Sequence, residues 1–362
     1  MFRKTNLVAY FGLLFTPAFA GSEIRLDNHP GSEEADGMIL YVDGGATGVG
    51  DGKDWCNAYV FLQDALALAQ PGMTIRVADG VYAPDMGDVQ TPGDRTASFA
   101  LKSGVRLEGG YAGCGSNWPN HRRIDAFKTV LSGDLAGNDG PGFVGNEENS
   151  IHVVTGYGVD RAVLDGFTVT GGYADGETPE NEGAGVTFRD STEVRVSDCT
   201  FVANQATRKG GGLAMFRTSG IVEHSLFVGN QAVLQEGGGL WGFCVDVSVS
   251  HCDFRRNGAV VGGGLAWIAC SGIESFLNMY DCSFHSNSAE QVGGGALIVG
   301  EEVEPGGSIG EAHLDRLRFK GNVARAAGGA VFLRGARVAF DQVEFSRNRT
   351  TNGQGDSIWV DP

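Results

Sequence analysis

Along much of the chain, apolar and polar residues alternate in short runs bounded by glycine, a period of two that predicts β-strands. Thr74 to Ala78, Val105 to Leu107, Thr129 to Leu131, His152 to Thr155 and Phe167 to Thr170 are such runs. One stretch departs from this period. Ala58, Phe61, Leu62, Ala65, Leu66 and Ala69 fall at i, i+3, i+4, i+7 spacing and are stopped by Pro71-Gly72, which predicts a single short amphipathic helix. From residue 197 onward the alternation becomes a repeat. Phe-x-x-Asn recurs at Phe201-Asn204, Phe227-Asn230, Phe254-Asn257, Phe284-Asn287, Phe319-Asn322 and Phe345-Asn348, with 26, 27, 30, 35 and 26 residues between successive asparagines. Between these units lie glycine clusters followed by apolar residues, at Gly210-Gly211-Gly212, Gly237-Gly238-Gly239, Gly262-Gly263-Gly264, Gly293-Gly294-Gly295 and Gly328-Gly329.

A period near 26 that holds two or three short strands and no helix predicts an all-β parallel β-helix solenoid of about ten coils, stacked at the ~4.8 Å spacing of hydrogen-bonded strands. Leucine-rich repeats would need a Leu-x-x-Leu-x-Leu framework, which is missing, and a propeller would need a longer repeat. Each repeated residue then has a job. The phenylalanines point inward and stack as a column. The asparagines sit at a strand end, where their amides can bond up the stack while the backbone turns left-handed. The glycines allow the turn and the close approach of coils. Five residues before each asparagine stand Cys199, Ser225, Cys252, Cys282, Leu317 and Val343, an inward position that takes small or apolar groups. The predicted helix would cap the apolar N-terminal end of the solenoid. Residues around Glu301 to Gly310 fall between motifs and should form a loop. At the other end, either a final strand closes the solenoid or the last coil is an association surface.

Composition narrows this picture. Glycine contributes 58 of 362 residues but proline only 10, which excludes collagen; 42% hydrophobic residues exclude a disordered chain. Arg3 and Lys4, the apolar run Leu7 to Phe15 and Ala18-Phe19-Ala20 read as a signal peptide over residues 1–20, with a segment 21–37 before a single domain 38–362. The chain is therefore expected to be secreted, extracellular, periplasmic or at the cell surface, with no transmembrane segment after cleavage. The formal net charge is −17, which makes nucleic acid an improbable partner. Seven cysteines are too few and too odd in number for a disulfide scaffold. Cys252 with Cys282 and Cys244 with Cys270 would stand on adjacent rungs within disulfide range, although parallel side-chain directions make bonding awkward, so both pairings stay open.

The words Tyr41-Val42-Asp43, Leu62-Gln63-Asp64-Ala65-Leu66, Gly109-Gly110-Tyr111, Leu131-Ser132-Gly133-Asp134-Leu135 and Leu164-Asp165-Gly166-Phe167 occur in this order. In this the chain resembles the secreted right-handed parallel β-helix proteins of the pectin-lyase-like superfold. The later repeat is similar to that of polymorphic outer membrane proteins, best kept at Gly294-Gly295-Ala296-Leu297 and Gly328-Gly329-Ala330-Val331. The resemblance implies a right-handed coil. For function it implies little, because one solenoid hosts lyases, hydrolases and adhesins. The hydrolase words Asn-Thr-Asp and Gly-His-Gly and the lyase word Trp-x-Asp-His are missing.

Three features remain as candidate chemistry. Six residues before each asparagine stand Asp198, His224, His251 and Asp281, then Arg316 and Gln342. On successive coils this column could serve proton transfer or a weak metal site; the plain alternative is a variable turn position. Asp43, Asp51 and Asp54 in one glycine-rich loop, and Asp134 and Asp139 in another, offer oxygen ligands for calcium, the one cofactor the sequence suggests. After the glycine clusters the strands are apolar on both faces, so Trp241 and Trp267 belong to a sheet covered by the chain's own loops or to an open strip for sugars or protein. The sequence thus predicts a non-catalytic scaffold binding an extracellular polysaccharide or a surface protein, with a polysaccharide lyase or glycoside hydrolase as the alternative.

Overall fold

In the computed structural model the described residues are 38–361, apart from 272, 274, 301–309 and 354. The expected signal peptide, the segment that follows it and the expected loop at 301–309 lie outside them. The chain winds as a parallel β-helix whose coils contribute to four parallel sheets of ten, nine, nine and seven strands. One coil shows the course. Leu213–Phe216 enters the first nine-stranded sheet, Ser219–Glu223 the ten-stranded sheet, Leu226–Val228 the second nine-stranded sheet and Gln231–Glu236 the seven-stranded sheet. Each strand pairs in register with its counterpart one coil on, so Phe201 stands over Phe227 and Phe227 over Phe254.

This register builds the core as columns. The rings of Phe201, Phe227, Phe254, Phe284 and Phe319 stack at 4.6–4.7 Å between centroids, and Phe345 follows at 5.4 Å. Beside them runs the asparagine ladder. Asn257 donates from Nδ2 to Oδ1 of Asn287 at 3.0 Å and to the carbonyl of Phe227 at 3.0 Å, while its own Oδ1 accepts from the backbone and amide N–H of Asn230. Every polar atom of that buried amide has a partner, as burial requires. The left-handed backbone, however, is not at asparagine. It falls on the preceding residue, Ala203, Gly229, Arg256, Ser286, Gly321 or Arg347. The turn therefore completes one residue earlier than expected and frees the asparagine to point inward.

The predicted helix forms as Leu62–Leu68, shorter than the spacing of 58–69 suggests. Tyr59 exchanges backbone bonds with Tyr41 and Asp43 at 2.9 Å, which draws residues 58–60 alongside the first strand. Leu62, Ala65 and Leu66 are buried over Leu40, Val42 and Ile75, so the helix covers the apolar N-terminal end. At the other end Ile358–Asp361 pairs with Val331–Arg334. That last strand closes one sheet, but Phe345 and Ile358 are only partly buried and Phe340 is exposed.

Cys56–Cys114 and Cys244–Cys270 are disulfides, with Cα–Cα separations of 4.9 and 5.2 Å. Of the two pairings left open, Cys244–Cys270 forms. Cys252 and Cys282 stay free and buried like Cys199, and burial pushes the Cys199 thiol up to about 12. They serve as core residues in the inward column. The Cys56–Cys114 bond, between loops beside the first coils, has no counterpart in the repeat pattern.

Candidate functional site

Between the ten-stranded sheet and the second nine-stranded sheet each coil from Gly166 onward turns a tight corner on one left-handed residue. Asp198, His224, His251, Asp281, Arg316 and Gln342 hold this place with φ between 47° and 54°. Asp and His are among the side chains that tolerate such a backbone, which accounts for their presence. In-register stacking then lines them up along the solenoid axis.

His224 and His251 are exposed, and their rings stack at 4.8 Å and 15°. His251 Nε2 lies 3.5 Å from Asp281 Oδ2, and Tyr280 meets the His251 ring edge-on at 5.5 Å. Arg316 donates from Nε and Nη2 to the two oxygens of Asp281 at 2.8 and 2.9 Å. That bidentate bond holds the Asp281 carboxyl below the usual carboxylate range. Asp198 shows the opposite behaviour: burial, with the nearby charge of Asp165, raises its carboxyl, and neither of its oxygens has a hydrogen-bond partner among the described residues.

A polar cluster on the neighbouring sheet face extends the line. Arg76, Glu108 and Asp165 stand in register on adjacent strands and alternate with buried Ile75, Leu107 and Leu164. Arg122 donates to Asp165 Oδ1 at 2.6 Å and to the carbonyl of Gly109 at 2.8 Å. Arg106 Nη1 lies 3.5 Å from both Glu108 Oε1 and Asp165 Oδ2, and Tyr111 donates to Glu108 Oε2 at 2.7 Å. Sequence reasoning missed this cluster, although Tyr111 and Asp165 stand in two of the ordered words that carry the resemblance. Its signal was the charged outward partner in each alternating strand.

The other candidates change more. Trp241 and Trp267 are both buried, at 1% and 0% exposure, so of the two alternatives a covered sheet is the one the structure has, and neither indole stands on an open strip. They face opposite ways, because Trp241 pairs with Ala266 and Trp267 with Gly242. Trp267 fills the interior. Trp241 lies in an outer apolar cluster with Leu297 and Phe332, packed by Val261 and Val292, its indole N–H donating to Glu236 at 3.0 Å and the Lys209 ammonium 4.6 Å from its ring. The chain itself covers this sheet.

The aspartates of the two glycine-rich loops cap their own turns. Asp43 accepts from the N–H of Gly45 and Cys114 at 2.8 and 2.7 Å, Asp51 pairs with Lys53, and Asp54 accepts from Asn57. Asp134 accepts from three successive N–H groups, of Gly137, Asn138 and Asp139, and Asp139 accepts from Asn149. Burial raises the Asp139 carboxyl. Among the described residues no group of three or more His, Cys, Asp or Glu side chains is placed to hold a metal ion.

A family model described as a right-handed β-helix region matches residues 143–303. Similar solved structures include a pectate lyase, at 12% identity over 84% of this chain and 78% of that one with a TM-score of 0.47. A rhamnogalacturonan lyase is 10% identical over 88% and 75% with a TM-score of 0.41. A family 28 exopolygalacturonase of Yersinia enterocolitica is 11% identical over 88% and 78% with a TM-score of 0.26. No curated protein sequence matches significantly.

Proposed function

We propose that this protein is an extracellular or cell-surface scaffold that binds an extended polysaccharide along the corner line Asp198–His224–His251–Asp281, without turning it over. The observation that carries this reading is the line itself. It presents one polar side chain per coil, parallel to the axis, with the two imidazoles exposed and 4.8 Å apart. A repeating surface suits a repeating ligand, and imidazole and carboxylate supply the donors and acceptors that hydroxyl groups need. Binding is favoured over chemistry because the buried carboxylates beside the line, Glu108 and Asp165, are held by arginines and Tyr111, and Asp281 is held by Arg316. An acid–base pair needs carboxyls free to take and give a proton.

One arrangement favours an enzyme instead. Glu108 and Asp165 face each other across adjacent strands with Arg106 between them, and the raised carboxyl of Asp198 stands one coil on. A lyase or hydrolase could be built on these groups. Purified protein mixed with acidic and neutral polysaccharides, with and without calcium, separates the two readings. Binding without new ends, weakened at least tenfold by exchanging His224 and His251 for Ala, is the result expected of the scaffold. New reducing or unsaturated ends that vanish in Asp198→Asn establish the enzyme and overturn the scaffold.

A further inference from the structure

The seven-stranded sheet carries a second row of side chains on its outer face. Tyr173, Gln205, Gln231, Gly258 and Ser288 occupy it on successive coils. The row begins as an amide ladder. Asn146 donates to Gln205 Oε1 at 3.0 Å, and Gln205 donates from Nε2 to Gln231 Oε1 at 3.1 Å. Gln231 Nε2 should donate in turn to the next coil, but that coil has Gly258 and offers no side chain.

Nothing in the backbone or the packing demands glycine there. Gly258 lacks a positive φ, and a Cβ built on it would meet only Ser288 Oγ, at 3.5 Å, an ordinary contact. Compare Gly263, where a Cβ would lie 2.2 Å from the carbonyl oxygen of Ser288. The missing side chain opens a notch of about 170 Å³ in the row, far more than the ~10–15 Å³ that one water needs. Gln231 and Ser288 close it at its two ends along the axis, and Val233 and Glu290 complete its rim. Gln231 Nε2, Ser288 Oγ and the Glu290 carboxylate have no protein partner among the described residues. Val233 is 39% exposed.

We propose that this notch is a binding subsite for a single neutral or amino sugar unit. The Gln231 amide would donate to one ring hydroxyl, Ser288 would exchange a hydrogen bond with another, Glu290 would accept from a third, and Val233 would lie against an apolar C–H face. Because the row is blocked by a side chain at each end, the notch takes one unit rather than a continuous chain. The Glu290 carboxylate disfavours uronic acids. The subsite lies on a different sheet from the corner line and does not depend on the reading given there.

Saturation-transfer NMR on the full chain tests it, with free glucose, galactose, N-acetylglucosamine and galacturonic acid as probes at millimolar concentration. The expected result is a signal from at least one of the three uncharged sugars and none from galacturonic acid. That signal should disappear in Gly258→Gln, which regrows the amide row, and fall at least fivefold in Gln231→Leu, which removes the donor without filling the space. It should persist when His224 and His251 are both Ala. Unfolding midpoints of the two notch variants at or above wild type show that the loss is local; if either variant is less stable, the other decides. No signal from any uncharged sugar overturns the proposal, as does a signal that survives both notch variants or an equal signal from galacturonic acid. A signal lost only in the double histidine variant places sugar binding at the corner and also overturns the notch.

Discussion

At the residue scale, the asparagine ladder shows how much one buried amide carries. Asn257 is 0% exposed, and its removal leaves the Asn230 backbone N–H, the Asn230 amide and the Phe227 carbonyl without their partners. Each orphaned group costs roughly 1–3 kcal/mol, so Asn257→Ala should lower stability by about 3–9 kcal/mol, read from urea unfolding. An unchanged midpoint would mean that neighbouring coils supply substitutes. His152 gives a pH signature. It is buried, its Nδ1 meets the Gly183 carbonyl at 2.9 Å, and burial holds its pKa below the ordinary histidine value. The unfolded chain therefore takes up this proton first as pH falls below about 6.5. Stability is full above that pH and declines on acidification, by at most about 1.4 kcal/mol per pH unit for one proton. His152→Gln should flatten this part of the profile between pH 7 and pH 5, and parallel profiles for the two proteins would sink the assignment.

At the element scale, the corners divide glycine into two kinds. Gly229 has φ of 62° and nothing within 4 Å of an added Cβ, so Gly229→Asn should leave stability almost unchanged. Gly263 is held by crowding, since an added Cβ would meet the carbonyl oxygens of Ser288 at 2.2 Å and Gly294 at 2.6 Å. Gly263→Ala should therefore cost at least about 1–3 kcal/mol, the range for overpacking, in the same unfolding measurement. The sequence showed the cluster but not which member is crowded, because that depends on the neighbouring coil. The same limit applies to the helix. Its spacing identified a helix ending before Pro71, but the first turn was lost to strand pairing at Tyr59. Propensity yields to tertiary hydrogen bonds at an element's edge.

At the scale of the whole molecule, stability is shared along a line of coils, each touching only its neighbours. The two disulfides act on this line at different places. Cys56–Cys114 closes a separation of 58 residues beside the capped end, and Cys244–Cys270 closes 26 between coils in the middle. Loop-closure entropy alone gives about 4 and about 3.5 kcal/mol respectively. Exchanging both cysteines of either pair for serine should lower the thermal midpoint, and the two losses should be additive because the pairs share no coil contact. A strongly non-additive double variant would show that the capped end and the middle of the solenoid unfold separately rather than as one cooperative body. Net charge belongs to this scale too. At −17 it steers polyanions away from the surface as a whole, so an acidic ligand would need a local basic patch.

The repeat of phenylalanine, asparagine and glycine determined the coil, the columns and the corner line by itself, because in-register parallel stacking turns equal sequence spacing into vertical alignment. His224 and His251 were therefore legible as neighbours before any coordinate was known. What repeats only once was not legible. The approach of Arg122 to Asp165, the Cys56–Cys114 bond, the covering of Trp241 by Val261 and Val292, and the notch at Gly258 each join residues whose separation has no period. Such contacts depend on the path of particular loops and on which side chains happen to be absent, and only the tertiary structure decides them.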